Sequence, residues 1–125
     1  MKFPSEVMKI YREASDEFKE IIEIAERLVE LGYAERRYYA GELEYYIIRF
    51  PTPASEASFH IYPELEIIED AWMILDEFSP GGREFLVTTD KEQLIKAMRL
   101  LVEGKEKECE ELFRENVAIL LDDDP

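Results

Sequence analysis

The stretch ERRYYAGELEYYIIRF, residues 35–50, constrains the fold more tightly than any other part of the chain. Ala40 and Gly41 make a short turn, with glycine where a positive φ is needed, between two runs of strand-forming residues. The second run is apolar on both faces, with Leu43, Tyr45 and Ile47 alternating against Tyr46, Ile48 and Phe50. Such a strand belongs inside a sheet covered on both sides, or covered on one side with the other used for contact. With Ala40 and Gly41 as the loop, Tyr38 is expected opposite Leu43 and Arg37 opposite Glu44.

Residues 5–31 supply a cover for that sheet. They read as one long helix, capped by Ser5 after Pro4 and closed by Gly32 at the left-handed position that ends helices. Val7, Tyr11, Ala14, Phe18, Ile21, Ala25 and Leu28 form a heptad stripe, which Ile10, Ile22, Ile24 and Val29 help to widen. A wide apolar face suits packing on a sheet, whereas a strict stripe would make a homodimer seam along helix 5–31. Ser15 or Asp16 could cap a second helix, so a break is allowed near 14–17.

Downstream, Pro51 and Pro53 mark a loop and Ser58–Tyr62 a third strand. The segment PELEIIEDAWMILDEF, 63–78, is ambiguous. A helix is expected, with Leu65, Ile68, Ala71, Trp72 and Leu75 on one face and acidic residues recurring on the other. The alternative makes WMILDEF and REFLVTT two strands joined by SPGG. After a strand at 83–89, Thr89 and Glu92 form a capping box. The helix it starts is lined by Leu94, Met98 and Leu101 and ended by Gly104, and a last helix at 105–121 buries Cys109, Leu112, Phe113, Val117 and Leu120. The expected architecture is α+β, in the order α-β-β-β-α-β-α-α, with an antiparallel sheet of about four strands. At 125 residues this is one compact domain over 1–121, followed by a frayed acidic tail at 122–125.

Charge sets the functional expectation. The formal net charge is −15, yet no Lys or Arg occurs between Pro51 and Gly82. Glu64, Glu66, Glu69, Asp70, Asp76 and Glu77 therefore have no basic neighbour in sequence, and they are the candidate contact residues for a basic partner. One Gln and one Asn stand against 23 Glu, a bias that leans towards a thermophilic source. No apolar run approaches the roughly 18 residues of a membrane span, and the N-terminus lacks the apolar core of a signal peptide. A cytoplasmic protein without a membrane partner is expected.

The vocabulary of catalysis is thin. One cysteine excludes an intrachain disulfide, one histidine excludes His-pair metal motifs, and no glycine-rich phosphate loop or nucleophile elbow occurs. No catalytic residue, metal or cofactor is assigned. Residues 24–50 resemble the final helix and wing of a winged-helix regulator. However, Arg36, Arg37 and Arg49 are offset by Glu35, Glu42 and Glu44, so direct nucleic-acid binding is not expected. The leading expectation is a non-enzymatic adaptor or inhibitor that engages a basic protein, for instance a nucleic-acid enzyme, through its acidic surface. The alternatives are a small-ligand or enzymatic pocket around His60, Tyr45, Tyr62 and Trp72, or a dimeric chaperone-like adaptor. The order of elements is similar in outline to that of small acidic secretion chaperones, an analogy of fold alone.

Overall fold

The computed structural model describes residues 2–50, 55–69, 71–75, 83–88 and 91–112. It is an α+β fold in which helices cover one face of an antiparallel sheet. The chain runs α1 (Ser5–Glu13), α2 (Asp16–Leu31), β1 (Ala34–Tyr39), β2 (Glu42–Phe50), β3 (Ser55–Tyr62), β4 (Ile67–Ile68), β5 (Ala71–Leu75), β6 (Arg83–Thr88) and α3 (Lys91–Val102), with further helix over 106–112. The sheet order is β1-β2-β3-β5-β6, and β4 also pairs with β3.

The N-terminal helix breaks where its sequence allowed. Ser15 accepts a hydrogen bond from the Phe18 amide at 3.2 Å and caps α2, while Ala14 is extended. Ser5 is not a cap: it is the first helical residue, and the Pro4 carbonyl accepts from Val7 and Met8. Gly32 closes α2 with φ 89°, letting the Tyr33 amide reach back to the Leu28 carbonyl. Val7, Phe18, Ile21, Ala25 and Leu28 are all buried inside this one chain. The stripe that could have formed a seam along helix 5–31 is thus occupied by the chain's own core.

A bulge sets the faces of β2. Tyr38 pairs with Leu43 as expected, but Arg37 pairs with Tyr45, which leaves Glu44 as the extra residue. The extra residue shifts the alternation by one position. Leu43 therefore points inward together with Tyr46 and Ile48, while Tyr45 and Ile47 lie on the opposite face. The expected grouping of Leu43 with Tyr45 and Ile47, and the pairing of Arg37 with Glu44, are corrected accordingly. On β3, Phe59 and Ile61 continue the buried face.

Among the described residues of 63–78, the expected helix is not formed. Residues 63–66 are turns, and 67–68 and 71–75 are strands, both paired to β3. A helix here would set Glu66 and Asp70 one turn apart without a counter-ion, whereas strands complete the free side of β3. The pairing of β5 with β6 agrees with the alternative reading of a strand pair. Its SPGG link, the Thr89 cap, Phe113, Val117, Leu120 and the 122–125 tail lie outside the described residues.

Beside α2, α3 buries Leu94, Ala97, Met98 and Leu101. It is clamped to α2 by Lys91 on Glu17 at 2.6 Å and by Arg99 on Glu20. Gly104, with φ 78°, ends the helix, and Cys109 on the next helical stretch closes the core. Among the described residues no helix is long and apolar enough to cross a membrane.

Candidate functional site

The chain's one buried charged side chain among the described residues is Glu26, in the middle of α2 and 3% exposed. Its carboxylate accepts from Arg36 Nε at 2.8 Å, from Arg36 Nη2 at 2.6 Å and from the Tyr46 hydroxyl at 2.8 Å. This is a bidentate, charge-assisted pair with a third donor completing the acceptor's shell. Arg36 is held protonated far above its usual range, first by that hydrogen bond. Burial, reinforced by the Glu26 charge, keeps Tyr46 protonated as well. Sequence reasoning passed over Glu26, although a signal was present: it lies four residues after Ile22 and eight after Phe18, within the apolar face.

The network continues towards the surface. Tyr38, beside Arg36, donates to Glu6 Oε1 at 3.0 Å. Glu6 is held below the usual carboxylate range, chiefly by its backbone amide and then by Tyr38, so it stays ionised. Glu6 opens onto a pocket of about 200 Å³ between α1, the start of β2 and the β3–β4 turn. Glu6, Glu13, Glu42, Glu64 and Glu66 line it, over apolar surface from Ile10, Ala14, Leu43 and Pro63. Among the described residues lining it, Lys9 is the one cation, and it stands 4.0 Å from Glu42.

Glu66 has a left-handed backbone, φ 54°, a conformation that costs a non-glycine residue on the order of 1 kcal/mol. Its carboxylate accepts a hydrogen bond from Ser15 at the N-terminus of α2, where negative charge is favoured.

The candidate contact residues therefore divide. Glu64 and Glu66 share the pocket with three carboxylates that are remote in sequence. Glu69 lies elsewhere, 3.1 Å from His60 Nδ1, with its amide donating to the His60 carbonyl at 2.8 Å. Asp70, Asp76 and Glu77 lie outside the described residues.

Of the second candidate group, Tyr45, His60 and Tyr62 come together on the sheet face away from the helices. Tyr45 stacks on His60 with ring centroids 4.7 Å apart and meets Tyr62 at 5.2 Å. At these separations the rings touch one another and leave no space for a ligand between them. Trp72 is paired in register with Ser58, next along β3 but one from His60. The Tyr62 hydroxyl is pushed above its ordinary range by burial and then by the charges of Glu69 and Glu44. Among the described residues no group of three His, Cys, Asp or Glu is placed to hold a metal ion. Comparison with protein-family models, with curated proteins and with solved structures finds no match to this chain, so its own residues alone carry a functional reading.

Proposed function

We propose that this chain is a non-enzymatic interaction protein whose acidic face receives a basic protein partner. The observation that supports this reading is the convergence of five carboxylates from α1, β2 and the β3–β4 turn around one pocket with an apolar floor. A Lys or Arg side chain fits that chemistry, because it carries a cationic head on an apolar stem. The net charge of −15 adds long-range attraction for a basic surface and speeds encounter. Within this class, a nucleic-acid enzyme with an Arg- and Lys-lined groove is a suitable partner, with carboxylates standing in for phosphates.

The test measures binding of an arginine-rich peptide and of a basic nucleic-acid-binding protein as salt is raised. Replacing Glu13, Glu64 and Glu66 by Gln is expected to weaken binding about tenfold or more, and to flatten its salt dependence. A control that removes the same number of charges at Glu30, Glu108 and Glu111 should lose far less. Equal losses in both triple variants would reduce the pocket to a share of the general negative field and overturn the reading.

A further inference from the structure

Among the described residues, α1, α2 and α3 pack on one side of the sheet and no helix covers the other. Tyr45 and Ile47 of β2 and His60 and Tyr62 of β3 lie half-buried at its centre, and Ile67, paired with Tyr62, extends it onto β4 with 49% exposure. Among the described side chains of this face, Arg37 and Arg49 are balanced by Glu35 and Glu69, and Glu44, whose charge acts on Tyr62, is left over. Glu35 bridges Arg37 and Arg49, each at 2.9 Å, and Glu69 sits on His60. In a chain of net charge −15, the described side chains here carry only about one net negative charge around an aromatic centre.

The face is also polarised across the strands. Two arginines share one glutamate at the β1 side, and Glu69 stands at the β4 side. From these observations we propose that the open sheet face is a self-association surface, and that its occupant is the same face of a second copy. Copies that repel one another at long range meet with least cost through their least charged faces. A two-fold axis parallel to the strands lays the arginine edge of one copy over the Glu69 edge of the other. An axis perpendicular to the strands would set arginine edge against arginine edge. The contact is isologous, with Tyr45 and Tyr62 of the two copies at its centre. It uses neither the pocket nor the buried helix stripe, so it is independent of the basic-partner reading.

The test is the oligomeric state of the full chain by analytical ultracentrifugation, from about 10 to about 500 μM. A dimer of the 14.8 kDa chain is expected. It should tighten as salt rises, because screening removes the repulsion between copies, whereas binding to a basic partner weakens. Arg37→Glu and Glu69→Arg should each weaken the dimer about tenfold, and the two together should restore it. Arg37 and Glu69 are about 14 Å apart within one copy, since β2 and β3 lie between them, so rescue requires a contact between copies. Both side chains are about half exposed, so neither change threatens the fold, which circular dichroism verifies. A monomer throughout the range, or a dimer indifferent to both single changes, overturns the proposal. Loss in the singles without rescue in the double overturns the proposed axis. Replacing Glu13, Glu64 and Glu66 should leave the dimer intact, which separates this surface from the pocket.

Discussion

Replacing Arg36 by Met removes the main partner of a carboxylate that the fold has buried. Glu26 is 3% exposed and would keep the Tyr46 hydroxyl alone among its three donors. Breaking one side of such a pair costs about 3–5 kcal/mol, most of it the burden of an uncompensated buried charge. Glu26→Leu should cost less, about 1–3 kcal/mol, because the Arg36 side chain is 25% exposed and can turn to water. The double variant, with apolar groups of similar size at both positions, removes the unpaired charge but leaves the buried Tyr46 hydroxyl without its acceptor; adding Tyr46→Phe should bring the protein back to within about 1 kcal/mol of the wild type. Tyr46→Phe removes one hydrogen bond to a charged acceptor and should cost about 1.5–3 kcal/mol.

Urea unfolding followed by far-ultraviolet circular dichroism gives these differences by linear extrapolation. The order is the decisive feature: Arg36→Met worst, Glu26→Leu intermediate, the double mildest of the three. If the two single losses simply add in the double variant, the pair is not coupled and the reasoning fails. Should Arg36→Met be too unstable to measure, Tyr46→Phe keeps the network open to test.

Ala40 occupies the left-handed region, φ 52°, beside Gly41 at φ 81°, so Ala40→Asn is expected to stabilise the hairpin by about 0.5–1 kcal/mol. A melting temperature unchanged or lowered by that substitution would contradict a turn with positive φ at both positions. Cys109 is buried, and burial with the nearby charge of Glu106 pushes its thiol from 9.0 up to about 12. The native protein should therefore resist iodoacetamide at pH values where the urea-unfolded chain reacts quickly. Because the folded value lies above the unfolded one, this stabilising contribution is complete below pH 9 and is lost as pH rises towards 12. Over that window, stability relative to Cys109→Ala should fall by up to about 1.4 kcal/mol per pH unit, and a flat difference would refute the assignment.

How much of this was legible depended on whether the deciding contact was local. The Ala40-Gly41 turn, the Gly32 terminus and the wide stripe of α2 are local signals, and they gave the α+β class. The bulge at Glu44 is not local: it arises because Leu43 and Tyr46 are both drawn to the interior, which simple alternation forbids. The segment 63–78 misled because its acids recur at helical spacing, while the free side of β3 that attracts β4 and β5 is invisible to periodicity. The pocket escaped for the same reason. Glu6 and Glu13 meet Glu64 and Glu66 only once α1 and the β3–β4 turn are brought together. Glu26 was different: an acid within an apolar helix face, ten residues before Arg36, is a readable pattern.

Where the charges fall explains why one chain can carry two kinds of surface. Several described cations are already engaged: Arg36 on Glu26, Arg37 and Arg49 on Glu35, Lys91 on Glu17 and Arg99 on Glu20. The Arg37, Arg49, Lys91 and Arg99 pairs balance acids on the outer sheet face and at the α2–α3 seam, whereas, among the described residues, the five carboxylates of the pocket meet one cation, Lys9. Glu66 is the residue at which stability and binding are hardest to separate. Its hydrogen bond with Ser15 places a carboxylate at the N-terminus of α2, worth about 0.3–1 kcal/mol, against a similar cost for its left-handed backbone. The two nearly cancel, so fold stability alone gives little reason for glutamate over glycine at that turn. A fifth carboxylate at the pocket is what glutamate adds there and glycine cannot.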